Sequence, residues 1–126
     1  MGEGQTFLSE FKTTKSGDKR HLMIVVAEKN GEYLIIPVTT WYEDLPPFVQ
    51  DNSCILNTGD HPFIKHKSWL NFKFAQAKQS IEILQGLLNG LLIRKEDLSP
   101  ELLAYIQSKT KDSKRLPSKL RYFFED

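Results

Sequence analysis

Apolar positions run without interruption through Leu22-Met-Ile-Val-Val-Ala27. Four or more such residues, β-branched among them, predict a strand covered on both faces. Asn30-Gly31 follows, a pair that accepts the positive φ angles of a two-residue hairpin. The return strand reads Tyr33-Leu-Ile-Ile-Pro-Val-Thr-Thr-Trp41. Pro37 has no N–H for a ladder, so an edge or a bulge is expected there. Ser68 to Ala75 alternates, with Trp69, Asn71 and Lys73 on one side and Leu70, Phe72 and Phe74 on the other. A period of two predicts a third long strand. From Gln76 the period lengthens. Ile81, Ile83, Leu84, Leu87, Leu88, Leu91 and Leu92 recur at helical spacing, and Gly90 marks the expected end. Ser99-Pro100-Glu101 has the form of an N-cap followed by proline in the first turn, which predicts a helix through Leu102, Leu103, Tyr105 and Ile106.

The remaining segments are less regular. Thr6 to Thr14 carries Phe7, Leu8 and Phe11 and fits either a short helix or a strand. Met1 to Gln5 is expected to be a mobile end, and Lys15 to Lys19 a turn. Tyr42 to Asn52 reads as a polar loop around Pro46-Pro47, and Ser53 to Leu56 as a short strand. Leu120, Tyr122, Phe123 and Phe124 form an apolar end that must pack on something. Strands first and helices last predict an α+β fold with a small, strongly bent sheet.

A chain of 126 residues holds one domain with one core. The net charge of +1 conceals a basic run from Lys109 to Lys119, so a local cationic surface for nucleic acid is compatible with it. One cysteine excludes an internal disulfide and favours a reducing compartment. The first residues lack the basic and apolar regions of a signal peptide. No apolar run approaches the roughly 20 residues of a membrane span. A cytoplasmic protein with no membrane role is the expectation.

Candidate chemistry concentrates between Ser53 and His66. This stretch holds Cys54, Asp60, His61 and His66, with Gly59 and Pro62 shaping a loop around them. Histidine suits proton transfer near neutrality, so Asp60, His61 and His66 are the candidate acid–base group. Trp41 and Trp69 are candidate platforms for unpaired bases, and Lys65, Lys67 and Lys73 candidate phosphate contacts. Each has a plainer reading. Asp60-His61-Pro62 would build a turn, the tryptophans would be core or rim aromatics, and the lysines a solvated face. Zinc ligation by His61, His66, Cys54 and His21 lacks the paired spacing of a zinc site, so no metal or other cofactor is expected. Cys54 lies in an apolar run, where burial would raise its pKa and silence it as a nucleophile.

Arg20 stands just before the first long strand, and the return strand ends Pro37-Val38-Thr39-Thr40. Arginine, hairpin and Pro-x-Thr-Thr together resemble the MazF/PemK family of toxin endoribonucleases over roughly Asp18 to Phe74. His21 stands where that family usually has proline. The resemblance implies an SH3-like β-barrel (about residues 6–75) followed by C-terminal helices (about 76–126) in a single domain. It implies cleavage of single-stranded RNA without a metal, leaving a 2′,3′-cyclic phosphate and a 5′-hydroxyl. Arg20 would hold the scissile phosphate, and Thr39 and Thr40 would orient it. It also implies a homodimer silenced by an antitoxin. The alternative is a non-catalytic module on the same fold, binding nucleic acid or protein.

Overall fold

A computed structural model of the chain describes residues 2–10 and 20–125; the side chains of Glu10, Arg20 and Pro47 are outside that description. Phe11 and the turn expected at Lys15 to Lys19 therefore lie outside the described residues. The fold is mixed α+β. Its strands are β1 (Thr6–Glu10), β2 (Arg20–Lys29), β3 (Glu32–Thr40), β4 (Ile55–Leu56), β5 (Ser68–Leu70), β6 (Gln76–Gln79) and β7 (Ile93–Lys95). The helices are α1 (Ser80–Leu88) and α2 (Pro100–Asp112), and a 3-10 helix spans Ser118–Phe124. The sheet is antiparallel in the order β4-β5-β3-β2-β1-β7, with β6 also paired to β3. It runs past residue 75, because β6 and β7 belong to it.

Local rules account for much of this. Asn30 and Gly31 take φ of 53° and 79° and join β2 to β3 with Lys29 opposite Glu32, as a primed two-residue turn requires. Ser99 caps α2 by accepting from the Leu102 N–H at 3.2 Å, and Pro100 opens the helix. Gly90, at φ 82°, ends the turn after α1. β2 is buried on both faces, as its apolar run predicts. Leu22, Ile24 and Val26 pack with Ile106, Leu116, Leu120 and Phe123, so α2 and the C-terminal 3-10 helix cover one face. Met23 and Val25 pack with Phe7, Tyr33, Ile35 and Ile83 of α1 on the other. Full burial of each such side chain contributes about 1.5–3 kcal/mol.

One residue of β2 is extra. Val25 lies opposite Ile35 but Ala27 opposite Leu34, so Val26 forms a bulge. Its carbonyl is satisfied by the Gln107 side-chain amide of α2 at 2.9 Å. The bulge thus pins the helix to the sheet.

Four expectations are corrected. The strand predicted over Ser68 to Ala75 stops at Leu70 and breaks into a 3-10 turn at Phe72–Phe74. Three steps along β3 (Val38 back to Ile35) are matched by six on the other side, Leu70 to Gln76. The cause is Pro37. Its carbonyl accepts from the Asn71 N–H at 3.0 Å, so its absent N–H also falls on this side and the ladder fails there. The helix expected from Gln76 begins only at Ser80, because Gln76–Gln79 pairs with β3. Ile93–Lys95 is a strand on β1 that periodicity did not indicate. Residues 2–5 are not a loose end: Gly4 donates to the Val25 carbonyl at 2.8 Å and Gln5 is buried.

The strands at the two ends of the order, β4 and β7, do not pair among the described residues. They are nonetheless linked by the His61 side chain, which reaches from the loop after β4 to the backbone of Glu96 just after β7. No described helix is long and apolar enough to cross a membrane.

Candidate functional site

Three strand termini meet at one end of the sheet. β3 ends as β5 begins, with Thr39 opposite Trp69 and Thr40 opposite Ser68. β2 starts on the other side of β3. The β2–β3 pairing runs to Met23 opposite Pro37, and beyond it β2 extends back to Arg20 and β3 on to Thr40. His21 Nδ1 lies 3.2 Å from the Val38 carbonyl, consistent with that alignment. Arg20 and Thr40 are each three residues past the last paired position of β2 and β3, so their backbones lie at the same end of the sheet. Thr39 and Thr40 are half-buried.

Trp41 continues from β3 and donates its backbone N–H to the Lys67 carbonyl at 2.8 Å. The Lys67 ammonium sits 5.0 Å from the centre of the Trp41 ring and 3.7 Å from Glu43. That ion pair is exposed and holds Lys67 only weakly. His66 precedes it, exposed, with its carbonyl accepting from the Ser68 hydroxyl. Lys65 is exposed beside it, and Lys73 is exposed on the 3-10 turn beyond β5. Trp69 is 6 % exposed, and its indole N–H donates to the Thr40 carbonyl at 3.3 Å. Its ring is thus part of the wall rather than an open platform, while Trp41 keeps an exposed part.

Two further residues shape this end and were not singled out from the sequence. Buried Gln50 clamps the backbone of Tyr42, accepting from its N–H and donating to its carbonyl, each at 2.8 Å. Asp51 is buried beside it and accepts from the Ser53 N–H at 2.9 Å. A polar clamp that reaches back eight residues leaves no periodic trace in a sequence. The usable signal is two polar residues just before the strand-like Ser53 to Leu56.

His61 is elsewhere. It is 2 % exposed. Its Nδ1 accepts from the Phe63 N–H at 3.0 Å, and its Nε2 lies 2.6 Å from the Glu96 carbonyl. A carbonyl only accepts, so Nε2 carries the proton. The Thr6 hydroxyl is 3.2 Å from Nε2 and donates to the same carbonyl at 2.8 Å. His61 therefore ties the loop after β4 to β1 and to the residue after β7, joining the two ends of the sheet. Thr6 pairs with Ile24, four residues along β2 from Arg20, which is about 13 Å of strand.

Asp60 is exposed and does not contact the His61 ring. Its carboxylate accepts from the Asn57 N–H at 2.8 Å and its own N–H donates to the Asn57 carbonyl at 3.0 Å, the turn-building reading. So Arg20, Thr39, Thr40, Trp41, His66 and Lys67 share one end, whereas His61 is locked into the wall of the fold. Among the described residues no three His, Cys, Asp or Glu side chains group as metal ligands.

Cys54 is fully buried, and burial pushes its thiol up to about 12 from an ordinary 9.0. Between those values the unfolded thiol loses its proton while the folded one keeps it. Stability contributed by the neutral thiol is thus present below pH 9 and declines as pH rises, by at most about 1.4 kcal/mol per unit. Urea titrations at several alkaline pH values should show this decline, and Cys54→Ala should make it shallower, the rest coming from Tyr33, Tyr105 and Tyr122, whose hydroxyl pKa burial also raises. A thiol reagent at pH 8 should label the unfolded chain and spare the folded one.

Compared with known proteins, the chain matches no protein-family profile and no curated protein at a significant level.

Proposed function

We propose that this protein is a toxin-type endoribonuclease, similar to the MazF/PemK family, that cleaves single-stranded RNA at the end of the sheet formed by Arg20, Thr39, Thr40, Trp41, His66 and Lys67. The observation that carries the reading is the meeting of the three strand termini there. The backbone positions of Arg20, Thr39, Thr40, Trp41, His66 and Lys67 are all at or just beyond those strand ends. Arg20 holds the phosphate, since its planar fork bonds two oxygens at once. The ribose 2′-oxygen attacks phosphorus, the bond to the 5′-oxygen breaks, and the proton balance passes through His66 and solvent. No metal enters this step. The SH3-like barrel belongs to the same proposal, with His61 fastening the bent sheet across its open side. An antitoxin would be the partner that covers the site.

A second reading, a nucleic-acid-binding module without catalysis, is favoured by one observation. Of the three histidines, only His66 is exposed, and acid–base cleavage calls for two proton-transfer groups. Incubation with a labelled single-stranded RNA in EDTA separates the two. Cleavage to fragments bearing a 5′-hydroxyl supports the nuclease. Retained, salt-sensitive binding with intact RNA supports the module. Neither binding nor cleavage ends both readings.

A further inference from the structure

We propose that the outer edge of β6 docks an extended segment of another protein, which adds an antiparallel strand there and alternates acidic with apolar residues. β6 pairs with β3 alone. The Ser80 N–H donates to the Gly31 carbonyl at 2.8 Å, which fixes the phase of that ladder. Gln76 and Lys78 exchange bonds with β3, and Ala77 and Gln79 turn their amides outward. Among the described residues nothing bonds the Ala77 N–H, the Ala77 carbonyl or the Gln79 N–H. Ala77 is half-buried and Gln79 exposed.

The open edge has a wall. A hollow of about 460 Å³ lies beside β6, lined by Ala75, Ala77, Lys78, Lys119, Leu120 and Tyr122. Its far side is the C-terminal 3-10 helix, which is held in place. Leu120 is buried in the core. The Tyr122 hydroxyl donates to the Glu32 carboxylate at 3.0 Å, and the Lys29 ammonium to the Tyr122 carbonyl at 2.8 Å. A strand entering this slot meets a fixed surface, so little of the protein's freedom is lost on association.

The edge side chains select the occupant. Ala77 packs on the core, so Lys78 stands on the other face of the sheet. A residue opposite Ala77 would exchange both backbone bonds with it and share its face, beside Leu120, where an apolar side chain fits. The residue opposite Lys78 would share its face, where an acid fits. Lys78 and Lys119 are exposed, and neither makes an ion pair among the described residues. No acidic residue lines the hollow. A second copy would bring its own Lys78 and Lys119 to a slot that already holds both, and edge lysines guard against self-pairing. The charge therefore favours an acidic chain of a different protein. β6 lies beside Glu32 to Ile35, the hairpin half of β3, away from Thr39 and Thr40, so this site and the nuclease reading stand independently.

Amide hydrogen exchange on the full chain, followed by nuclear magnetic resonance, tests this with a blocked peptide of alternating valine and glutamate. Saturable binding is expected, with exchange at Ala77 and Gln79 slowed about tenfold or more. Lysine in place of the peptide's glutamates should weaken binding about tenfold, as should Lys78→Glu combined with Lys119→Glu. N-methylation separates strand addition from charge attraction. Methyl groups on the valine nitrogens, which face β6, should abolish binding, whereas those on the glutamate nitrogens, which face away, should be tolerated. No binding overturns the proposal, as does binding that leaves Ala77 and Gln79 unprotected or survives valine N-methylation. Protection that rises with the chain's own concentration, without peptide, assigns the edge to a second copy and also overturns it. The RNA assay is read separately, so either proposal can fail alone.

Discussion

Replacing His61 with alanine is expected to lower stability by about 3 kcal/mol, and to leave RNA cleavage per folded molecule unchanged. The cost has three parts. The Phe63 N–H loses its acceptor and the Glu96 carbonyl loses one of two donors. Each lost bond is worth about 1 kcal/mol, and more where the stranded group stays buried. The vacated ring also leaves a void beside Thr6, which is itself fully buried. For a domain of this length the expected fall in melting temperature is roughly 10 °C. His61→Asn should recover part of the loss, because its side-chain oxygen can accept from the N–H two residues on but its amide is too short for Glu96. Thermal and urea unfolding measure the first claim. Cleavage rates normalised to folded protein measure the second. A stable His61→Ala protein with a large loss of rate would return His61 to the chemistry.

Arg20→Ala is expected to reduce cleavage by 100-fold or more while leaving unfolding unchanged within about 0.5 kcal/mol. The asymmetry follows from position. Arg20 opens β2 opposite Glu10, at the strand's end. A preorganised donor on the charge developing at phosphorus is worth about 100- to 1,000-fold in rate. Arg20→Lys should recover binding better than rate, since an ammonium keeps the charge and loses the fork. His66→Ala should flatten one limb of the pH–rate profile. Toxicity on expression, relieved by Arg20→Ala at equal soluble yield, gives the same answer in cells. An Arg20→Ala protein that cleaves at the parent rate would end the catalytic reading of this sheet end.

The contrast between Asp60 and His61 shows how far sequence reasoning reached. Both are titratable neighbours in one shaped loop. The turn-building alternative for Asp60 rests on a bond to a residue three positions away, and that is what forms. The partners of His61 lie 35 and 55 residues away, at Glu96 and Thr6. Nothing in the spacing announces which backbone carbonyl will meet an imidazole. The same limit applies to β7, whose three residues become a strand because β1 offers an edge. It applies to the break at Phe72–Phe74, where Pro37, from a different strand, overrides a clean alternation.

What the sequence by itself determined was the set of features that need only near neighbours. These are the Asn30-Gly31 hairpin, the Ser99 cap, the burial of β2 on both faces and the packing of Leu120 and Phe123 into the core. Each follows from φ preference, a cap three residues away, or apolar character alone. Only the tertiary structure decided that Arg20, Thr40 and His66 stand at one end of the sheet, that His61 is a fastener in its wall, and that β6 keeps one edge open. Those outcomes depend on how a sheet bends and which distant carbonyls and faces it brings into reach, and that is a property of the assembled chain.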